Sequence, residues 1–386
     1  MRDGLLVHRS PEILARLLTE ISNFAESGGV GAVHLGDVGC GGGGFDQPPN
    51  EHVETLRTMR ALEAAALPPH WPIYHMPGNH DVAPSAANVG GGDGLAAWRE
   101  HLGPRHEHRE LNAANAANAA TGSEGSEAEM RLPAYQAFHV GRHWKLLLLD
   151  SMDSIPVDRD GHGHIGHAQL AWLDSQLASA ERQRLRVVVC AHQLFIDPTT
   201  HKGSGSYASP GDAPLRRRAR IKSRGASAGD GVLDPASFQG PSWIASGDMV
   251  DNHIQVLEVL SRYPGVVRLS LHGHVHANTL VSWKGIDFLT LASTSEYPMQ
   301  WFELHLRECD AQLTARHLAL PHLRDESEKR DNRPMRNAIK RGMMRNDTHA
   351  GVEAIEEATT TPESLGYEWD WPCEAGLGSH GHGHRD

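Results

Sequence analysis

Asp37, Asn79, His192, His274 and His276 sit in four short stretches, each placed where an apolar run stops. The stretches are Leu35-Gly36-Asp37, Pro77-Gly78-Asn79-His80-Asp81, Ala191-His192 and His272-Gly273-His274-Val275-His276. Carboxylate and carboxamide oxygens together with imidazole nitrogens form the donor set that Zn, Mn and Fe accept. A strand ending in such a residue aims it into the crevice at the carboxyl edge of a sheet. The chemistry these residues offer is therefore metal-assisted, with His80 and Asp81 beside a candidate ligand.

The elements that must position them read as alternating helices and strands. Ser10-Pro11-Glu12 opens a helix, with Ser as cap and Pro at the first helical position. Ile13, Leu14, Leu17, Leu18, Ile21 and Phe24 follow at helical spacing, and Gly28-Gly29 ends it. The apolar run at 31–35 predicts a buried strand delivering Gly36-Asp37, a helix follows over about 51–66, and a strand at 71–76 presents the Gly78–Asp81 stretch. Further on, 135–140 and 144–150 predict paired strands, 166–180 a helix, 187–191 a buried strand, 252–262 a helix and 266–271 a strand. Alternating segments at 279–283, 288–291 and 301–306 predict a closing antiparallel set, so the whole is α/β, with two packed sheets flanked by helices.

Composition bounds the rest. The chain has 386 residues, 39% of them hydrophobic, enough for a sizeable core, and no apolar run reaches the roughly 18 residues that a membrane span needs. The start of the chain carries no signal-peptide pattern, so the expected location is cytoplasmic. A net charge of −12 argues against nucleic acid and anionic membrane as partners. Four cysteines without CxxC spacing argue against a disulfide framework or zinc knuckle, and Cys190 reads as a buried strand residue. Residues 1–323 form the expected domain. Two insertion loops interrupt it at 103–130, rich in Asn and Ala, and at 199–240, which holds an Arg cluster. The expected tail at 324–386 is of low complexity, disordered, and ends in alternating Gly and His.

The Gly-Asp, Gly-Asn-His-Asp, strand-end His and Gly-His-x-His stretches, in that order, resemble the calcineurin-like metallophosphoesterase superfamily from about Ser10 to Leu320. Leu149-Asp150-Ser151 and Gln169-Leu170-Ala171-Trp172-Leu173 look like the cyclic-nucleotide-phosphodiesterase-like branch. The resemblance implies a four-layer α/β/β/α sandwich. It also implies two divalent ions (Mn, Fe or Zn) bridged by Asp37, with Asn79, His192 and His274 completing one site and His276 serving the other. A metal-bridging hydroxide would then hydrolyse a phosphomonoester or small phosphodiester, with His80 contacting the phosphate and Asp81 orienting His80.

The chain departs from the family in lacking the Asp-x-His strand that opens the pattern, which leaves one ion only Asp37 and His276. Three explanations stand side by side. The chain is an incomplete version; it is an impaired, one-metal protein acting as a binding or scaffold module; or another residue, His34 or His8, fills in. His34, His75 and His272 read more simply as packed histidines, Asp150 as a strand-end residue bonding local backbone, and Asp248 as a turn or helix start.

Overall fold

Val187-Val188-Val189-Cys190-Ala191 is apolar at every position because both of its faces are covered. These residues belong to a six-stranded sheet in a computed structural model that describes residues 9–38, 49–69, 71–82, 94–103, 133–153, 163–196, 220–221, 248–276, 278–330 and 366–371. In spatial order the sheet runs β3 (Gln136–Val140), β4 (Trp144–Leu148), β5 (Arg186–Ala191), β7 (Val267–His272), β9 (Ile286–Thr290) and β8 (Thr279–Trp283). The four inner strands are parallel, and β3 and β8 close the edges antiparallel.

Successive residues of a strand face opposite ways, and the burial follows that period. Leu147, Leu149, Val187, Val189 and Ala191 pack on α5 (His167–Arg182) and α6 (His253–Ser261), through Trp172, Leu173, Leu177, Val256 and Leu260. Their neighbours Trp144, Leu146, Leu148, Val188 and Cys190 turn to a second sheet. That sheet runs β10 (Gln300–Leu306), β11 (Asp310–His317), β12 (Gly366–Asp370) and β6 (Arg220–Ile221). Phe302 and Leu304 of β10 face the inter-sheet core, whereas Trp301 faces outward onto Ile13 and Leu17 of α1 (Ser10–Glu26). Helix, sheet, sheet, helix is thus the layer order, as the resemblance implies. Each fully buried aliphatic side chain in these layers contributes about 1.5–3 kcal/mol.

A parallel pair, β1 (Ala32–His34) and β2 (Ile73–His75), joins the inter-sheet core through Val33, Leu35, Tyr74 and Met76. α2 (Pro49–Ala66) connects the pair, and its Leu56 and Met59 cluster with Trp98 of α4 (Gly94–His101). Among the described residues β1 and β2 pair only with each other.

Three expectations need correction. The closing segments do not form one antiparallel set: β8 and β9 complete the first sheet, while β10 pairs with β11 in the second. The expected disordered tail is interrupted by order, since α7 (Pro321–Arg330) runs past residue 324 and β12 pairs with β11. Tyr367, Trp369 and Trp371 alternate along β12 and bury their rings, and Trp369 Nε1 donates to Asp287 Oδ2 at 2.6 Å, so their burial offsets the cost of ordering. Finally, Cys309 is disulfide-bonded to a partner outside the described residues, whereas Cys190 is free and buried as read. The insertion loops, apart from Gly103 and β6, lie outside the described residues, as do His8, the Gly run at 41–44 and the terminal histidines. No helix among the described residues is long and apolar enough to cross a membrane.

Candidate metal centre

The parallel register of β1 and β2 sets their tips side by side, and the turns after them are shaped by glycine. Gly36 has φ +97°, and a Cβ there would come within 2.6 Å of His192 Nδ1 and 2.9 Å of the Gly78 backbone. A Cβ on Gly78 would overlap the Asp37 carboxylate and amide. Two glycines therefore let the tips touch. Asp81, in the short helix α3 (Asn79–Val82), locks them together: its Oδ2 accepts the amides of Asp37 at 2.7 Å and Gly78 at 3.0 Å. Asp81 is fully buried, and this clamp on both loops is the duty its geometry displays. The His80 amide donates to Asp37 Oδ1 at 2.9 Å, fixing the carboxylate's plane.

His192, at the tip of β5, donates from Nδ1 to the Leu35 carbonyl at 2.7 Å. A carbonyl only accepts, so Nδ1 carries the proton and Nε2 presents its lone pair. Around that lone pair stand Asn79 Oδ1 at 3.1 Å, His274 Nδ1 at 3.1 Å and Asp37 Oδ2 at 3.2 Å. Asp37, His192 and His274 hold ligand atoms within 4.8 Å of one another, the only such group among the described residues. Four acceptor atoms from four chain segments repel unless something positive sits among them. Donors about 2.1 Å from a tetrahedral ion are about 3.4 Å apart, so the cradle is close to metal size.

The electrostatics agree. Burial alone pushes the Asp37 carboxyl up, but His192, with His80 and His274, overrides it and holds the group well below the usual carboxylate range. Burial likewise disfavours His192 protonation, and the Asp37 carboxylate outweighs that and raises it. The site thus favours positive charge at the place where a cation would fit. Backbone strain concentrates here as well: Asp37, His274 and His276 are non-glycine residues at φ +59°, +65° and +54°. Such conformations cost about 1–3 kcal/mol each and persist where the surroundings over-determine them.

His276 is not drawn into the cluster; its Nδ1 meets Glu296 Oε2 at 2.5 Å, and Glu296 is buried. His274 turns its far nitrogen, Nε2, to Asp248 Oδ1 at 3.2 Å. Sequence reasoning passes over both carboxylates. Asp248 offered a signal in Ser246-Gly247-Asp248, a second Gly-Asp dipeptide, whereas nothing around Glu296 marks it.

No protein-family model and no curated protein matches this chain. Solved structures do. A dimetal phosphatase from Danio rerio is 16% identical with a TM-score of 0.47, over 81% of this chain and 87% of that one. PhoD is 15% identical with a TM-score of 0.40, over 77% of this chain and 62% of that one. GAP50, the anchor in the inner membrane complex of Plasmodium, is 10% identical with a TM-score of 0.39, over 79% and 81% of the two chains.

His272 and His34, near the cluster, are packed into the surrounding structure. His272 engages Ser270 Oγ and the Gln193 carbonyl, both at 2.8 Å, and burial pushes it down to about 4. His34 accepts the Gly36 amide, lies tilted against His75 with ring centres 5.6 Å apart, and is likewise held at about 4 by burial; it does not enter the donor cluster. Gln169 clamps the Asp150 backbone, taking its N–H and giving to its carbonyl, each at 2.8 Å, which explains the Gln at the start of α5.

Asp150 accepts the Met152 amide on Oδ1 at 2.9 Å, as read from sequence, while its buried Oδ2 has no partner. Burial, helped by Asp153, pushes its carboxyl up to about 7. A raised acid keeps its proton when folded and has lost it when unfolded, so its stabilising contribution is complete below about pH 4 and fades as the pH rises to about 7. We expect that fall to be about 2–4 kcal/mol and to disappear in Asp150→Asn, as checked by urea unfolding at about pH 5 and pH 8.

Proposed function

We propose that this chain is a calcineurin-like metallophosphoesterase hydrolysing a phosphomonoester or a small phosphodiester. The observation that carries this is the convergence of Asp37, Asn79 and His274 acceptor atoms on the bare Nε2 of His192. A divalent ion in that cradle supplies a Lewis acid for the phosphoryl oxygens and a water acidic enough to attack phosphorus at neutral pH. The chain's own residues do the rest. Leu35 fixes the His192 tautomer, Asp81 fixes the two loops, and His80, adjacent to Asn79, contacts the phosphate and hands a proton to the leaving oxygen. A second ion, if bound, would be held by Asp37 and His276 and would supply further Lewis acidity. The lean toward a phosphodiester rests on the Leu149-Asp150-Ser151 and Gln169–Leu173 resemblance, and the net charge of −12 favours a small substrate over nucleic acid.

The test is metal content with turnover. The purified chain is expected to hold at least one tightly bound ion beyond those taken by its terminal histidines. It should also hydrolyse bis(p-nitrophenyl) phosphate with Mn, stop on chelation and recover on readdition. A chain that holds one ion yet turns over neither this diester nor p-nitrophenyl phosphate is the binding or scaffold module instead.

A further inference from the structure

Of the His274 ring nitrogens, one points at the donor cluster and the other at a carboxylate that comes from a distant part of the chain. Asp248 stands just before α6, and its backbone is stitched to the loop beyond His192. The Leu194 amide donates to the Asp248 carbonyl at 3.1 Å, and the Val250 amide returns to the Leu194 carbonyl at 3.0 Å. These bonds use the main chain, and the N-cap of α6 is Asn252. The side chain is partly buried, at 29% exposure, and its Oδ1 lies 3.2 Å from His274 Nε2.

We propose that Asp248 is a positioning residue for His274: it accepts the Nε2 proton, so that Nδ1 is the bare nitrogen turned to the metal and the ring is held across the strained backbone at φ +65°. This deepens the phosphoesterase reading and rests on it. A neutral imidazole has one donor and one acceptor nitrogen, and a carboxylate on one side decides which is which. Such partners also raise ligand basicity, and their loss commonly costs about 10–100-fold in metal affinity. His192 obtains the same service from the Leu35 carbonyl, so the two histidines are aimed by unrelated devices into one cradle.

The experiment is cobalt titration of the full chain, followed by visible absorption, with His274→Ala as the background for ions held by the terminal histidines. Histidine tautomers of the metal-free chain are read in parallel by 15N NMR. We expect His274 to be the Nε2–H tautomer in the wild type. Asp248→Ala should mix the tautomers and weaken cobalt binding by about 10–100-fold. Asp248→Asn keeps an acceptor oxygen and should keep the tautomer, with a smaller loss. If Asp248→Ala binds cobalt as tightly as the wild type with the tautomer unchanged, the inference is overturned while the phosphoesterase reading stands. A wild-type chain that takes up no cobalt above the background overturns that reading itself, and this inference with it. A variant that fails to fold shows in its circular dichroism, and Asp248→Asn then decides alone by tautomer and affinity.

Discussion

Asp37→Ala and His192→Ala are each expected to lose the tightly bound ion and at least about 1000-fold in diester turnover, while keeping the fold. The size follows from what the centre does. A bound ion stabilises transition-state charge by several kcal/mol, and each 1.4 kcal/mol is a factor of ten in rate. The direction follows from the cradle. Without His192 the remaining acceptors lose the nitrogen around which they are arranged, and without Asp37 the only carboxylate of the group is gone. The fold survives because the two residues sit at strand tips, beyond the cores that hold the layers together. Metal content, diester turnover and thermal melting on the same preparations check all three parts. Retained turnover in either variant places the chemistry elsewhere in the molecule.

Gly78→Ala is expected to be damaging as well, although Gly78 itself supplies no ligand atom. The added methyl overlaps Asp37 from below, at the carboxylate and at its backbone amide. Neither can yield easily, because Asp81 ties that amide and the Gly78 amide to one buried oxygen. The tips of β1 and β2 must separate, and over-packing of this kind costs about 1–3 kcal/mol. A displacement of about 1 Å in a catalytic constellation costs about 100-fold in rate, which is the loss expected here. Gly285→Ala is the control: it forces a side chain into φ +78° but meets nothing within 4 Å. It should lose about 1 kcal/mol of stability and leave metal binding untouched. Equal losses of activity in the two variants would show that the effect is general destabilisation instead of displacement of Asp37.

Most elements and most of the candidate cluster are legible in the residue order. Apolar runs with both faces buried mark β4, β5 and β7, and helical spacing marks α1 and α5, because burial imposes a local period that survives in the residue order. Asp37, Asn79, His192 and His274 were legible for the same reason: each follows a run that had to be a strand, so each had to stand at its end. The tertiary structure decided what that period does not encode. β12 was hidden because Tyr367, Trp369 and Trp371 stand alone among polar residues, far in sequence from β11, and only long-range pairing gives their rings a place to be buried. The split of β8, β9 and β10 between two sheets is likewise a matter of partners, since an alternating strand fits either one. Asp248 and Glu296 meet His274 and His276 only because segments 26 and 20 positions away in the sequence fold back against them. A histidine's role is carried by its far nitrogen as much as by its near one, and which group meets that nitrogen is a fact of three dimensions.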